Sequence, residues 1–197
     1  MRHDMVHFIQ EVTEEQLNSI LDKIGECVKR AQSAGVDIIE VHGDRLIGSF
    51  CSTLINRRTD SYGGSFENRI RFALRVVDKI REVAPDICID YKLPVVTENP
   101  LRGKGGLMIN EAVEFAKILE RSGVDMIHVG QANHTGNMND TIPAMGTQPY
   151  CFMSKYTKQI KEAVSIPVSS VGRIVTPENA EALIENGCLL YTSPSPR

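Results

Sequence analysis

The sequence lacks several features that would assign it to a specialised class. Its five cysteines are widely spaced without a Cys-X-X-Cys pair, which indicates neither a zinc site nor a disulfide framework. No apolar run approaches the roughly 20 residues that span a bilayer, and the N-terminus has no signal-peptide core. The net charge is −3 with basic and acidic residues interspersed, so no surface for nucleic acid is indicated. We expect a cytoplasmic protein with reduced thiols that binds a small molecule, without a metal site.

Helical and strand patterns alternate along the 197 residues, of which 42% are hydrophobic. A capping box at Thr13–Gln16 opens a helix that ends at Gly35. Strands are predicted to start at residues 36, 87, 124 and 166. Further helices are predicted from Ser65, over 110–122 and 152–164, and from Thr176. Buried strands that alternate with helices predict a parallel sheet with helices outside it.

Two architectures fit this pattern, a (β/α)8 barrel and an open doubly wound sheet. Long connections follow the strands, at residues 42–64, 94–108 and 130–151, whereas the connections from helix to strand are short. Barrels build active sites from such loops, and open sheets bind ligands at the same edge. No Gly-X-Gly-X-X-Gly motif follows a strand, which disfavours the dinucleotide-binding fold. The barrel is the favoured interpretation.

Four predicted strands are half of the eight that close a barrel. We therefore expect residues 1–187 to be a fragment of a barrel domain. Another strand is due where the sequence reads CLLYTSPSPR, and its serines and prolines disfavour one. Codons for this stretch resemble one reading frame of a transposon-end adapter used for sequencing libraries. We expect residues 188–197 to be a non-native tail, and a genuine Ser/Pro-rich tail is the alternative.

The most specific motif is NRRTDSYGGSFENRIRF at Asn56–Phe72, which resembles the signature of the old yellow enzyme family of FMN-dependent oxidoreductases. The resemblance continues through YKLPV, ANHTGN and VSSVGRIVTPENAEALIENG, and covers roughly Thr13–Gly187. It implies that residues 36–171 form about strands four to seven of a (β/α)8 TIM barrel, an α/β fold. The block itself is interpreted mainly as scaffold: its glycines permit turns, Ser65 caps a helix, and its charged residues hold the loop.

The first candidate site residues lie at the end of the first predicted strand and directly after it. A histidine there can donate a hydrogen bond to a substrate carbonyl and stabilise developing negative charge, and the resemblance implies this role for His42. The family usually has a second histidine or asparagine three residues later, where this chain has Arg45. The tyrosine that serves as proton donor in some members is missing. Arg45 is either a charged donor to the substrate or a partner of Asp44 or another loop acid.

The resemblance also implies cofactor and proton-transfer residues. Lys92 lies within a strand, where an unpaired cation is costly, and matches a residue that stabilises the reduced flavin; a lysine reaching solvent is the alternative. His134 matches a catalytic histidine of the dienoyl-CoA reductase branch and is a candidate proton donor, or an ordinary loop histidine. Gly172 and Arg173 match the FMN phosphate site. His128 is interpreted as structural.

Together these matches imply an FMN enzyme that uses NAD(P)H to reduce the C=C bond of α,β-unsaturated carbonyl compounds, of the enoate, dienoyl-CoA or steroid and bile-acid enone type. Members of that branch carry a 4Fe-4S cluster and an FAD domain downstream. One alternative is an FMN barrel that oxidises amines or hydroxy acids. Another is an inactive truncated polypeptide. We expect no nucleic-acid or membrane partner, while the resemblance leaves an oligomer open.

Overall fold

The computed structural model describes residues 5–53, 55–95, 107–131, 149–188 and 190–192. Within them, strands alternate with helices. The strands are β1 (Ile38–His42), β2 (Cys88–Val95), β3 (Met126–Gln131), β4 (Val168–Val171) and β5 (Leu190–Thr192). The helices are α1 (Met5–Glu11), α2 (Glu14–Ser33), α3 (Leu46–Cys51), α4 (Phe66–Val83), α5 (Ile109–Arg121), α6 (Ser154–Lys161) and α7 (Pro177–Glu185). None of the described helices is long and apolar enough to cross a membrane.

The strands form one parallel sheet in the order β1-β2-β3-β4-β5. Strands that are neighbours in space are therefore neighbours in the sequence. A doubly wound sheet reverses its strand order at a switch point, and the described strands contain no such reversal. Their order is that of consecutive strands in a (β/α)8 barrel.

Side-chain caps begin three of the predicted helices. Thr13 and Gln16 exchange hydrogen bonds in the predicted capping box at the start of α2. Ser65 Oγ accepts from the backbone N–H of residue 68 at 3.3 Å, and Thr176 Oγ1 accepts in the same way at the start of α7. Each cap satisfies an N–H group that has no partner inside its helix. The predicted starts of these helices are therefore confirmed.

Other boundaries differ from the prediction. Strands β1 to β4 each start one or two residues later than expected. Helix α3 lies inside residues 42–64, which were expected to be loop, and α1 was not predicted. Six residues are too few to show helical periodicity, and α3 is instead held by tertiary packing, with the Phe50 ring 4.9 Å from that of Phe72.

The fifth strand lies where we expected a non-native tail. Leu190–Thr192 pair in parallel with Ser169–Val171 of β4, in the place of the next barrel strand. The preceding Cys188 is buried. This pairing is a property of the fold and does not test the origin of residues 188–197, which stays a prediction.

The main core lies between the sheet and the helices. Side chains alternate between the two faces of a strand, and one face of β2 contributes Ile89, Tyr91 and Leu93, all fully buried. The Tyr91 ring meets Phe115 of α5 edge-on, with ring centroids 5.7 Å apart. The intervening residues of β2, Asp90 and Lys92, therefore point to the opposite face of the sheet, which would line the interior of a barrel.

Buried polar groups of the Asn56–Phe72 block hold the loop after α3. The side-chain amide of Asn56 donates to the carbonyls of Phe50 and Tyr62, both at 2.7 Å. Arg69, also buried, donates to the carbonyl of Cys51 at 2.6 Å and forms an ion pair with Glu111 of α5. These contacts agree with the scaffold interpretation of the block.

We predict that Arg69→Met destabilises the fold strongly. Methionine keeps the apolar stem but removes every N–H donor, which leaves the Cys51 carbonyl and the Glu111 carboxylate without this partner. Breaking a buried ion pair from one side costs about 3 kcal/mol or more. Urea denaturation measures the change in the free energy of unfolding. The control Arg121→Met, at an exposed position of α5, is expected to change it by less than about 0.5 kcal/mol; equal effects would contradict the prediction.

Candidate active site at the carboxyl ends of the strands

Titratable side chains share the inner face of three adjacent strands. In the parallel register, His42 pairs with Lys92 and Lys92 pairs with His128. One step toward the amino ends of the strands, Glu40 pairs with Asp90. Residues two apart on a strand point to the same side. The face opposite the apolar core therefore carries five ionisable groups.

Asp44 lies between the charged side chains at the end of this face where β1 ends. Its side chain is 3% exposed, and its Oδ1 is 3.0 Å from His42 Nδ1. Its Oδ2 lies 3.6 Å from Lys92 Nζ and 3.9 Å from Arg45 Nε. The structure thus brings His42, Arg45 and Lys92 together around one buried carboxylate.

The turn that buries Asp44 requires glycine at position 43. A Cβ on Gly43 would lie 2.4 Å from the carbonyl oxygen of Lys92 and 2.6 Å from the Tyr91 ring. No side chain fits at those distances. Because the chain passes so close to β2 at Gly43, the side chain of the next residue, Asp44, lies against Lys92.

Glu40 connects two histidines on this face. Its Oε1 is 2.9 Å from His128 Nδ1 in a hydrogen bond, and its Oε2 lies 3.0 Å from His42 Nε2. Burial is the main influence on His128 and lowers its pKa, while the Glu40 contact acts in the opposite direction. The buried position of His128 agrees with the structural role expected for it.

Asp90 lies directly opposite Glu40, an arrangement that places like charges side by side. Burial and then the charge of Glu40 raise the pKa of Asp90 to about 6, and Lys92 opposes this shift. Ligand atoms of Glu40, Asp90 and His128 lie within 4.8 Å of one another. Such a set can ligate a metal ion, although the Lys92 cation beside it works against one.

The structure distinguishes among the residues predicted from the sequence. His42 is the last residue of β1 and its side chain is 46% exposed. The side chain of Arg45 is 53% exposed and lies next to Asp44, which was the partner expected if Arg45 does not bind the substrate. His134 lies outside the described residues.

Gly172 and Arg173 follow β4 directly, at the same end of the sheet as His42 and Lys92. Both have positive φ angles, +130° and +53°. A Cβ on Gly172 would lie 2.6 Å from Phe152 Cε1, so the turn needs glycine. The Arg173 guanidinium lies 4.8 Å from the centre of the Tyr150 ring, which leaves a cation at the strand end.

These residues fit the flavin cofactor that the sequence implies. FMN carries an anionic phosphate and gains negative charge on reduction, and this end of the sheet offers Lys92 on β2 and Arg173 after β4. Gly130 of β3 leaves room for the lysine stem, since a Cβ there would lie 3.3 Å from Lys92 Cε. The donor set therefore suits an anionic cofactor.

Sequence reasoning did not assign a site role to Asp44, Glu40 or Asp90. A signal was present for two of them, because the pairs Glu40-His42 and Asp90-Lys92 each place polar residues two positions apart in otherwise apolar strands. Asp44 offered no comparable signal, since its burial depends on the glycine turn against β2.

Comparisons with known proteins identify similar sequences and similar folds. Residues 2–191 match the model of the NADH:flavin oxidoreductase / NADH oxidase family. Bilirubin reductase of Clostridium symbiosum is 38% identical over 193 residues, which are 95% of this chain and 51% of the relative. NADH oxidase of Thermoanaerobacter brockii is 35% identical over 184 residues, 90% of this chain and 27% of the relative.

Among solved structures, histamine dehydrogenase from Rhizobium sp. 4-9 superimposes with a TM-score of 0.77 at 26% identity. The match covers 92% of this chain and 26% of that protein. The chain thus spans about half of the bilirubin reductase and about a quarter of the other two. This partial coverage, together with the strand order, confirms the predicted fold class of a partial barrel.

We predict that Asp90→Asn makes stability less dependent on pH. The pKa of Asp90 is higher in the folded chain than its ordinary value of 3.8, so the folded state holds this proton more tightly. The contribution of Asp90 to stability should therefore be lost as pH rises from about 4 to about 6. Asparagine removes this loss, and the variant should be more stable than the wild type above pH 6 by about 2 kcal/mol and equal to it below pH 4.

Urea denaturation at a series of pH values measures this difference. Asp22→Asn, at an exposed position of α2, is the matched control and should leave the pH profile unchanged. A difference in stability between the wild type and Asp90→Asn that stays constant between pH 4 and 6 would contradict the assignment.

Proposed function

Since the chain belongs to the NADH:flavin oxidoreductase / NADH oxidase family, as the resemblance to old yellow enzymes predicted, we propose that it is the part of an FMN-dependent reductase that polarises an α,β-unsaturated carbonyl substrate. The observation that carries this proposal is the pairing of His42, at the end of β1, with Lys92 on the adjacent strand β2, with Asp44 in contact with both.

Lys92 and the turn after β4 would hold the cofactor. Lys92 would present its ammonium group to the flavin ring and stabilise the charge of the reduced form. Backbone N–H groups near Gly172 and the guanidinium of Arg173 would bind the phosphate. Bound FMN would supply the hydride chemistry, with NAD(P)H as the reductant.

His42 and Arg45 would bind the substrate carbonyl. His42 is held by Asp44 yet remains half exposed, which suits a side chain that meets a ligand. Hydrogen bonds from these two residues would stabilise the negative charge that develops on the carbonyl oxygen. His134 is proposed as a proton donor on the basis of the sequence match.

The relatives support a reductase but leave the substrate class open. Bilirubin reductase and NADH oxidase are both named for redox reactions. Within the proposal, enoate, dienoyl-CoA and steroid or bile-acid enones are the substrate types of the branch that the sequence resembles. A 4Fe-4S cluster and FAD belong to the same branch as further cofactors outside this segment, and we propose a cytoplasmic location.

A second candidate is the oxidation of amines or hydroxy acids. It is favoured by the similarity to histamine dehydrogenase, whose name describes an amine as substrate. A third proposal concerns the 197-residue polypeptide itself: residues 1–187 are a barrel segment, residues 188–197 are foreign to it, and the segment alone is inactive. Sheet edges that a barrel would cover support this expectation.

We predict that a complete enzyme carrying this segment oxidises NADH when a cyclic enone such as 2-cyclohexenone is added without oxygen. It should show no activity with histamine and an artificial electron acceptor. Both activities are measured by absorbance, with the 197-residue chain plus FMN as a control that is expected to be inactive. Turnover of histamine without enone reduction would favour the second candidate.

Lys92→Met should make bound FMN harder to reduce. Loss of a cation beside the reduced ring removes a favourable charge interaction, and we expect the two-electron midpoint potential to fall by about 30 mV or more, equivalent to about 1.4 kcal/mol. Arg121→Met provides a matched loss of one positive charge at an exposed helix position. Equal potentials in the wild type and Lys92→Met would remove Lys92 from the flavin site.

A further inference from the structure

The turn that follows β4 packs against residues 150–153, the stretch of chain that precedes α6. A Cβ on Gly172 would lie 2.6 Å from Phe152 Cε1 and 3.0 Å from Met153 Cγ. Gly172 also has a φ of +130°, in the region that favours glycine. The path of the chain at Gly172 is therefore shaped by the 150–153 segment as well as by β4.

A backbone hydrogen bond joins these two stretches at residues with unusual backbone angles. Cys151 and Arg173 both have a φ of +53°, and no other non-glycine residue in the part of the chain that the structure describes has a positive φ. The N–H of Cys151 donates to the carbonyl of Arg173 at 3.3 Å. Such backbone angles persist where the surrounding structure holds them, and they are frequent at ligand sites. The pairing indicates that the two turns form one unit.

Helix α6 fixes the 150–153 segment to the sheet. Thr157 Oγ1 in α6 donates to Ser170 Oγ on β4 at 2.8 Å, and both residues are buried. At the start of the helix, the N–H of Ser154 donates to the carbonyl of Cys151 at 2.8 Å. The segment is therefore supported by the same strand whose carboxyl end it covers.

Tyr150 is an exposed residue of this segment, yet its ring has a defined contact. The residue is 58% exposed, and the guanidinium carbon of Arg173 lies over its ring, 4.8 Å from the centroid. A cation within about 6 Å of an aromatic ring is attracted by the electrons of the ring face. The contact restricts the rotamers of a long side chain. Tyr150 is thus placed to determine where Arg173 carries its charge.

We propose that Tyr150 is a positioning residue that holds the Arg173 guanidinium for the FMN phosphate and thereby favours FMN over riboflavin, which lacks that phosphate. The inference rests on the proposed function, which assigns the phosphate to Gly172 and Arg173. It adds to that site a residue from the chain before α6, to which neither the sequence motifs nor the proposed function gave a role.

The ring contact and a bound phosphate are compatible. A guanidinium carries its N–H donors in its own plane, whereas its attraction to a ring comes from its positive charge. Arg173 can therefore donate to phosphate oxygens while it stays in contact with Tyr150. A side chain that is already held loses less freedom when a ligand binds. The ring therefore raises the affinity for the phosphate without touching it.

Flavin affinity of the complete enzyme, stripped of its cofactor, tests the proposal with FMN and riboflavin as probes. Quenching of flavin fluorescence measures both dissociation constants. In Tyr150→Leu the FMN constant should rise about 5-fold, which corresponds to about 1 kcal/mol of cation–π energy. The riboflavin constant should stay at the wild-type value, because riboflavin has no phosphate for Arg173 to bind.

Two control variants separate the ring contact from other effects. Tyr150→Phe keeps an aromatic ring and should bind both flavins as the wild type does. Phe8→Leu removes another exposed ring, on α1, and should change neither dissociation constant. Tyr150→Gln is a second way to remove the ring, with a polar side chain at the exposed position. It should match Tyr150→Leu and decides the question if that variant fails to fold.

A double-mutant cycle tests whether Tyr150 acts through Arg173. Arg173→Met should raise the FMN constant at least about 10-fold, because it removes hydrogen bonds to a charged group. Adding Tyr150→Leu to Arg173→Met should have no further effect, since the ring then has no cation to hold. An equal loss of FMN affinity from Tyr150→Leu in both backgrounds would overturn the proposal.

The remaining outcomes also decide the question. Equal weakening of FMN and riboflavin in Tyr150→Leu, or an unchanged FMN constant, would overturn the role of Tyr150 even where Arg173→Met weakens FMN. An FMN constant unchanged by Arg173→Met would overturn the proposed phosphate site and this inference with it. Absence of enone reduction in an enzyme that binds FMN through both residues would contradict the proposed function and leave the role of Tyr150 standing.

Discussion

The arrangement of the site depends on the parallel register of consecutive strands. Because side chains alternate along a strand, a shift of one residue in β2 would exchange its two faces. Lys92 would then point into the helix-packed core, and Leu93 would point to the inner face. The register is held by the apolar face, where fully buried Ile89, Tyr91 and Leu93 pack against the helices. The core thus determines which residues are available for chemistry.

This constraint explains why the inner face is rich in paired charges. Ionisable groups placed on neighbouring strands in register must lie close together, and each gains from a neighbour of opposite charge. Glu40 contacts two histidines, and Asp44 contacts a histidine and two cations. Asp90 is the exception, since it faces Glu40 and its pKa rises to about 6. The ionisable side chains of the inner face therefore interact electrostatically from β1 to β3.

Much of the fold could be predicted because its signals are local and repeated. Caps at Thr13, Ser65 and Thr176 define helix starts by short-range hydrogen bonds, and apolar runs of strand length indicate the buried strands. Helix α3 could not be predicted, since its stability comes from contacts such as Phe50 with Phe72. His42 and Lys92 were predicted as site residues through a motif resemblance, whereas Asp44 acquires its position from a turn that only the folded sheet creates.

A crystal structure of a complete barrel that carries this segment, with FMN bound, would test the central claim most directly. The account predicts Lys92 Nζ within hydrogen-bonding distance of both the flavin ring and Asp44, with the phosphate at Gly172 and Arg173. It also predicts that the His42 side chain lies beside the substrate space above the ring and keeps its contact with Asp44. FMN bound away from this edge of the sheet, or Lys92 turned from the ring, would contradict the account.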